Sequence, residues 1–258
     1  MFYKLQLIIK CAKNPFFSKK KGVLLLFLTA LFACTPRYAS LEISLVHSFG
    51  KDVFALDKPY STLLGDTIAF SKLKYYLTNI KLIDELGEQW AEKESYRLIN
   101  FENGGENNHI ITLKIDSIPI KKYQTLAFGL GIDSTRNGSG RQINDLDPLK
   151  GMFWTWEDGY VFWKAEGYFY PDKQNKTSFV VHVGKNENYQ TKNITLKKML
   201  LEGNKYKLTL KVATEKFFGG YPDAPISLSA PKNKKPLSIM VGEKAKNVGE
   251  NLKNMISE

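Results

Sequence analysis

Short runs in which apolar and polar residues alternate, cut by turn-forming clusters, constrain this chain most strongly. Alternation with period two places successive side chains on opposite faces of a strand. Leu41, Ile43 and Leu45 alternate with Glu42, Ser44 and Val46. Leu73, Tyr75, Leu77 and Asn79 share one face of the next run, and Tyr76, Thr78, Ile80 and Leu82 the other. Further strands are expected at Tyr96–Phe101, Ile110–Ile115, Thr125–Ile132, Tyr160–Phe169, Ser178–Val183, Ile194–Leu200 and Tyr206–Val212. Turn clusters at Asn103-Gly104-Gly105, Asn137-Gly138-Ser139-Gly140 and Glu202-Gly203-Asn204 separate them. Regular spacing of short strands, without βαβ alternation, predicts an all-β, antiparallel β-sandwich-like domain. At the C-terminus the period changes: Val241, Ala245, Val248, Leu252 and Met255 recur at spacings of four and three. That predicts one amphipathic helix over about 241–256, with Ser238 as its cap, covering a sheet edge or an open core.

The N-terminus has a different chemistry. Residues 1–33 carry six lysines and no acid, and Val23–Leu28 with Ala30–Ala33 form an apolar stretch. That stretch is shorter than the roughly 20 residues a spanning helix needs, so it reads as a secretory signal. Leu31-Phe32-Ala33-Cys34 resembles a bacterial lipobox, which implies cleavage before Cys34 and lipidation of its thiol. The expected organisation is a signal over 1–33, a short linker over 34–40 and a single domain over 41–258. Cys11 would leave with the signal, so the mature domain would hold no disulfide and rely on its core. The formal charge of +11 also shrinks: 31 basic side chains remain against 26 acidic ones after residue 33. With no basic run interleaved with aromatics, nucleic-acid binding is set aside.

The chain has three histidines, His47, His109 and His182. His47 ends the first strand. His182 lies in an apolar strand, sharing its face with Val180 and opposed to Phe179, Val181 and Val183. An imidazole in such a place needs a hydrogen-bond partner or a metal. His109, beside Glu106-Asn107-Asn108, reads as a surface residue. Trp154, Trp156 and Trp163 lie within ten residues, as core packing, an aromatic wall for a sugar, or an indole beside a metal. The oxygen-rich residues from Asp133 to Asn137 and Asn144 to Asp147 match no calcium-loop spacing and read as self-satisfied turns. No phosphate-binding glycine loop, nucleophile elbow, H-E-x-x-H or C-x-x-C occurs.

The strings from Lys72 to Leu82, from Gly129 to Asn137, Leu146-Asp147-Pro148, Gly151 to Trp156 and Gly159-Tyr160 follow in that order. Together they resemble the MbnP-like domain, a copper-binding family of the extracytoplasmic space common in lipoproteins of the Bacteroidetes type. Ser238-Ile239-Met240 and Asn251 to Met255 fit the family's ending, so the resemblance covers roughly residues 41–256. It implies a mostly β domain, a dihaem cytochrome c peroxidase-like partner and, in some relatives, conversion of a tryptophan to kynurenine. By the resemblance, His47 and His182 match histidines of the family and become the copper candidates, as Cu(I) or Cu(II). Trp154 and Trp156 match its tryptophan pair.

Gly138 and Leu237 stand where some relatives carry further histidines, and Trp163 stands where Phe is common. The expected function is therefore a copper-binding lipoprotein, periplasm-facing or on the outer membrane through its lipid anchor, and not an enzyme. The first alternative is a non-catalytic ligand-binding or structural sandwich that has lost the metal site. The second is a hydrolase built from dispersed carboxylates.

Overall fold

The computed structural model describes residues 37–102, 109–170, 175–197, 199–219, 226 and 237–258. The leader with Cys34, and most of the turn-rich crossing before residue 237, lie outside the described residues. The strands are β1 (Tyr38–Phe49), β2 (Asp52–Val53), β3 (Tyr60–Ser61), β4 (Thr67–Asp84), β5 (Gln89–Ala91), β6 (Tyr96–Asn100), β7 (Ile110–Pro119) and β8 (Tyr123–Leu130). After a loop with three short helical turns come β9 (Phe153–Thr155), β10 (Gly159–Tyr170), β11 (Thr177–Gly184), β12 (Gln190–Thr195), β13 (Leu200–Glu202) and β14 (Lys205–Ala213). β15 (Leu237–Ile239), a helix over Glu243–Met255 and β16 (Ile256–Ser257) close the chain.

Two sheets result. The smaller runs β13-β14-β1-β2, with β7 also on β1 and β16 on β14. The larger runs β12-β8-β4-β10-β11-β15, with β3, β5 and β6 on β4 and β9 on β10. The expected all-β sandwich with one C-terminal helix is what the chain forms. Among the described residues two ladders are parallel, β1 with β14 and β11 with β15, and the other ladders are antiparallel.

Alternation fixes the core. Leu41, Ile43, Leu45 and His47 of β1 are buried beside Tyr206, Leu208, Leu210 and Val212 of β14, facing Leu73, Tyr75 and Leu77 of β4 and Trp163 of β10. β4 is buried on both faces through its middle. Its outer face carries Tyr76, which joins Ile132, Leu146, Met152, Tyr160, Val161 and Phe162 in a second cluster formed by the loop that precedes β10. A strand covered on both sides shows no clean polar alternation.

The helix buries Ala245, Val248, Leu252 and Met255 against the main core. Its N-cap is Gly242, which makes no side-chain cap bond, and Ser238 lies in β15 instead. The expected strand over 194–200 is divided: β12 ends at Thr195 and a new strand begins at Leu200. Strand β1 starts at Tyr38, so residues 38–40 belong to the sheet rather than to a linker.

Candidate metal centre

His47 points inward and is 1% exposed. Its Nδ1 faces two carbonyl oxygens, those of Leu45 and His109, each at 3.2 Å. Carbonyls only accept, so Nδ1 carries the proton and Nε2 holds the lone pair. The Tyr75 hydroxyl donates to that Nε2 at 2.8 Å. Phe101 meets the imidazole edge-on, with centroids 4.6 Å apart. Burial dominates its titration and, with the nearby His109, lowers its pKa to about 4 against the opposing carbonyl bonds. The imidazole is therefore neutral at ordinary pH, the form that ligates metal.

His109 is the residue brought to it. The β1–β7 register runs to Val46 opposite Ile110, and the His47 amide extends it by donating to the His109 carbonyl at 2.7 Å. Directly opposed residues on antiparallel strands share a face, with Cβ atoms about 4.5–5.5 Å apart. His109 is half-buried, and its buried Nδ1 has no hydrogen-bond partner among the described residues. The expectation of a surface histidine is thus corrected. Its polar neighbours suggested solvent, but its parity with Ile111, Leu113 and Ile115 was the signal that it faces inward.

His182 goes elsewhere. It lies on the outer face of the larger sheet, away from buried Phe179, Val181 and Val183. Its Nε2 lies 2.8 Å from Glu166 Oε1, and Lys72 reaches the same carboxylate at 3.4 Å. Burial lowers its pKa, and the Glu166 hydrogen bond opposes that. His47 and His182 therefore stand on opposite sides of the larger sheet, and the structure does not bring them together. Among the described residues no group of three or more His, Cys, Asp or Glu gathers as a metal cage.

The tryptophans separate in the same way. Trp154 is half-buried against the second cluster. Trp156 is 71% exposed, on Phe153 and close over Gly140. Trp163 is buried and stacks on Tyr75 with centroids 4.6 Å apart, one ring removed from His47. Its Nε1 has no hydrogen-bond partner among the described residues.

The oxygen-rich loops behave as self-satisfied turns. Asp133 caps the short helix Ser134–Asn137 and accepts from Tyr96 and Asn79 at 2.6 and 3.2 Å. Asp147 accepts from the Leu149 amide at 3.0 Å. Buried Asn137 accepts from the Tyr160 amide at 2.8 Å and packs on Gly159, where its side chain leaves no room for a Cβ and the φ of +72° also favours glycine. Most of the strings that carry the family resemblance build this loop scaffold.

The profile of the MbnP family matches residues 38–241. The chain belongs to the MbnP family. No curated protein sequence matches it. Among solved structures it is similar to MbnP from Methylosinus trichosporium, at 14% identity and a TM-score of 0.50. That likeness covers 70% of this chain and 78% of the other, and it shows the fold. Membership in a copper-associated family supports a metal-related role. Among the described residues such a metal finds its best fit at the His47–His109 pair, which offers a neutral imidazole at His47 and a buried Nδ1 without a hydrogen-bond partner at His109.

Proposed function

We propose that the protein is an extracytoplasmic copper-binding lipoprotein of the MbnP family that works without catalysis of its own. The observation that supports this best is the buried Nδ1 of His109, unpartnered among the described residues, beside His47. Imidazole suits copper, and d¹⁰ Cu(I) accepts few ligands without a strict geometry. His47 would present Nε2, which the Tyr75 hydroxyl now covers, and its own Nδ1–H to the two carbonyls holds the ring in that tautomer. Copper, when bound, would supply a redox-active ion in an otherwise apolar interior. Lipidation at Cys34 would hold the domain at a membrane surface.

Metal analysis of protein produced with copper tests the reading. Wild type and His182→Ala should retain copper, whereas His109→Ala and His47→Ala should lose it at least tenfold. No copper above background in wild type overturns the proposal, and loss in His182→Ala alone moves the site to the outer face. The family's peroxidase-like partner adds a second test. Peptide mass spectrometry after co-expression should find oxidation at Trp154 or Trp156. An unmodified pair with an active partner present would remove the partner from the reading.

The alternative of a sandwich that has lost its metal draws on a specific contact, the Tyr75 hydroxyl that closes His47 Nε2. The same copper measurement separates the two.

A further inference from the structure

A cleft of about 600 Å³ opens between the end of β6, the start of β7 and the turn at Pro148–Lys150, lined among others by Lys74, Asn100, Glu102, Thr112 and Lys150. That volume suits a small molecule rather than a chain. Lys74 lies at its floor, 7% exposed. Its ammonium donates to the Lys150 carbonyl at 3.2 Å and pairs with Glu102. Lys72 reaches the same Glu102 carboxylate at 3.2 Å. A buried ammonium is costly unless an anion pairs with it. Here that anion is a side chain one third exposed, on the turn that follows β6. Glu102 thus bridges two ammonium groups from an exchangeable position, as the carboxylate of a ligand would.

The surrounding charge favours a second carboxylate. Lys150 sits on the rim and pairs with Asp145 at 2.7 Å. Lys164 donates to the Gly151 carbonyl at 2.8 Å beside it. Lys72 shares Glu166 with His182. Three ammonium groups (Lys72, Lys74, Lys150) therefore pair with three carboxylates (Glu102, Glu166, Asp145), and Lys164 adds a fourth positive charge held on a backbone carbonyl. Asn100 and Thr112 add neutral polar groups to the wall.

We propose that this cleft binds a small dicarboxylate. One carboxylate displaces Glu102 between Lys72 and Lys74, and the other turns toward Lys150 and Lys164. Neither His47 nor His109 lines the cleft, and the proposal does not depend on copper.

Isothermal titration of the purified protein with succinate tests it, with inorganic phosphate as the competing anion. Succinate should bind saturably, at least tenfold more weakly in Lys74→Met and at least fivefold more tightly in Glu102→Gln. Added salt should weaken binding, because the attraction is between charges. Lys150→Met, at the exposed rim, should lose severalfold and decides the matter should Lys74→Met fail to fold. Succinate should bind equally with and without a copper chelator present, which keeps this result apart from the copper test. Absence of saturable binding in both wild type and Glu102→Gln overturns the proposal. Equal affinity for phosphate overturns the dicarboxylate assignment.

Discussion

His47 and His182 occupy strands of similar apolar character, yet the two sheets use them in opposite ways. His47 is enclosed by Tyr75, Phe101 and two carbonyls, and its partners are neutral. His182 stands among Glu166, Lys164 and Lys72, and its partners are charged and partly solvated. A neutral partner set in a dry core holds an imidazole uncharged. A charged set at the surface makes it one member of an ion-pair belt, where each pair contributes little. Residue type therefore says less about metal binding than the face on which the strand displays it.

The sharpest way to break this contrast is truncation. His47→Ala leaves a core cavity and an unpaired Tyr75 hydroxyl, and should cost about 4 kcal/mol of stability in chemical denaturation. His182→Ala should cost less than about 1 kcal/mol. Similar losses would show that the two environments do not differ as described.

The pH dependence of stability is the next largest effect. His47 has a folded pKa of about 4 against an ordinary 6.5, so the unfolded chain binds its proton first. Its contribution is intact above pH 6.5 and falls away between 6.5 and 4, by about 3 kcal/mol in all. His182 shifts in the same direction. A thermal-melt series over that window should flatten in His47→Asn and remain steep in His182→Asn. A wild-type profile without slope between pH 6.5 and 4 would contradict the buried neutral imidazole.

Tyr75→Phe sharpens the comparison with a smaller change. Losing the hydroxyl bond should cost about 1 kcal/mol. It also uncovers His47 Nε2, so copper should bind at least as tightly as in wild type. Weaker copper binding would instead make the phenol a ligand. The smallest effect is expected at Glu166→Gln, within about 0.5 kcal/mol near neutral pH, because Lys72 retains Glu102.

Much of this was legible before any tertiary contact was known. Alternation along Leu41, Ile43 and Leu45 puts His47 on the core face, and alternation along Phe179, Val181 and Val183 puts His182 on the other. The period of the last segment gave the helix within two residues of each end. Its cap was not legible, because residues 237–239 pair with β11 as a strand before the helix begins. The inward turn of His109 was hidden by three polar neighbours, although its parity with Ile111 was present. The aromatic run after Gly151 could not be sorted from sequence, since a tight turn places exposed Trp156 outside the strands while Trp163 lies inside β10 and packs on Tyr75.

Period-two alternation specifies the sandwich and the face of a strand residue wherever the strand is regular, because side-chain direction needs only local backbone geometry. At Asn79, whose φ is +52°, the ladder slips, so Ile80 and Leu82 join Leu73, Tyr75 and Leu77 in the main core rather than standing opposite them as alternation predicts. Tertiary structure decided which residues meet. β1 and β7 are joined by registry across about sixty residues, and that registry sets His47 opposite His109. β4 and the turn after β6 bring Lys72 and Lys74 to one glutamate in the same way, and the turn before β9 sets the Lys150 carbonyl on Lys74. Pairing of distant strands is fixed by the cooperative burial of both sheets at once, and no local pattern carries that information.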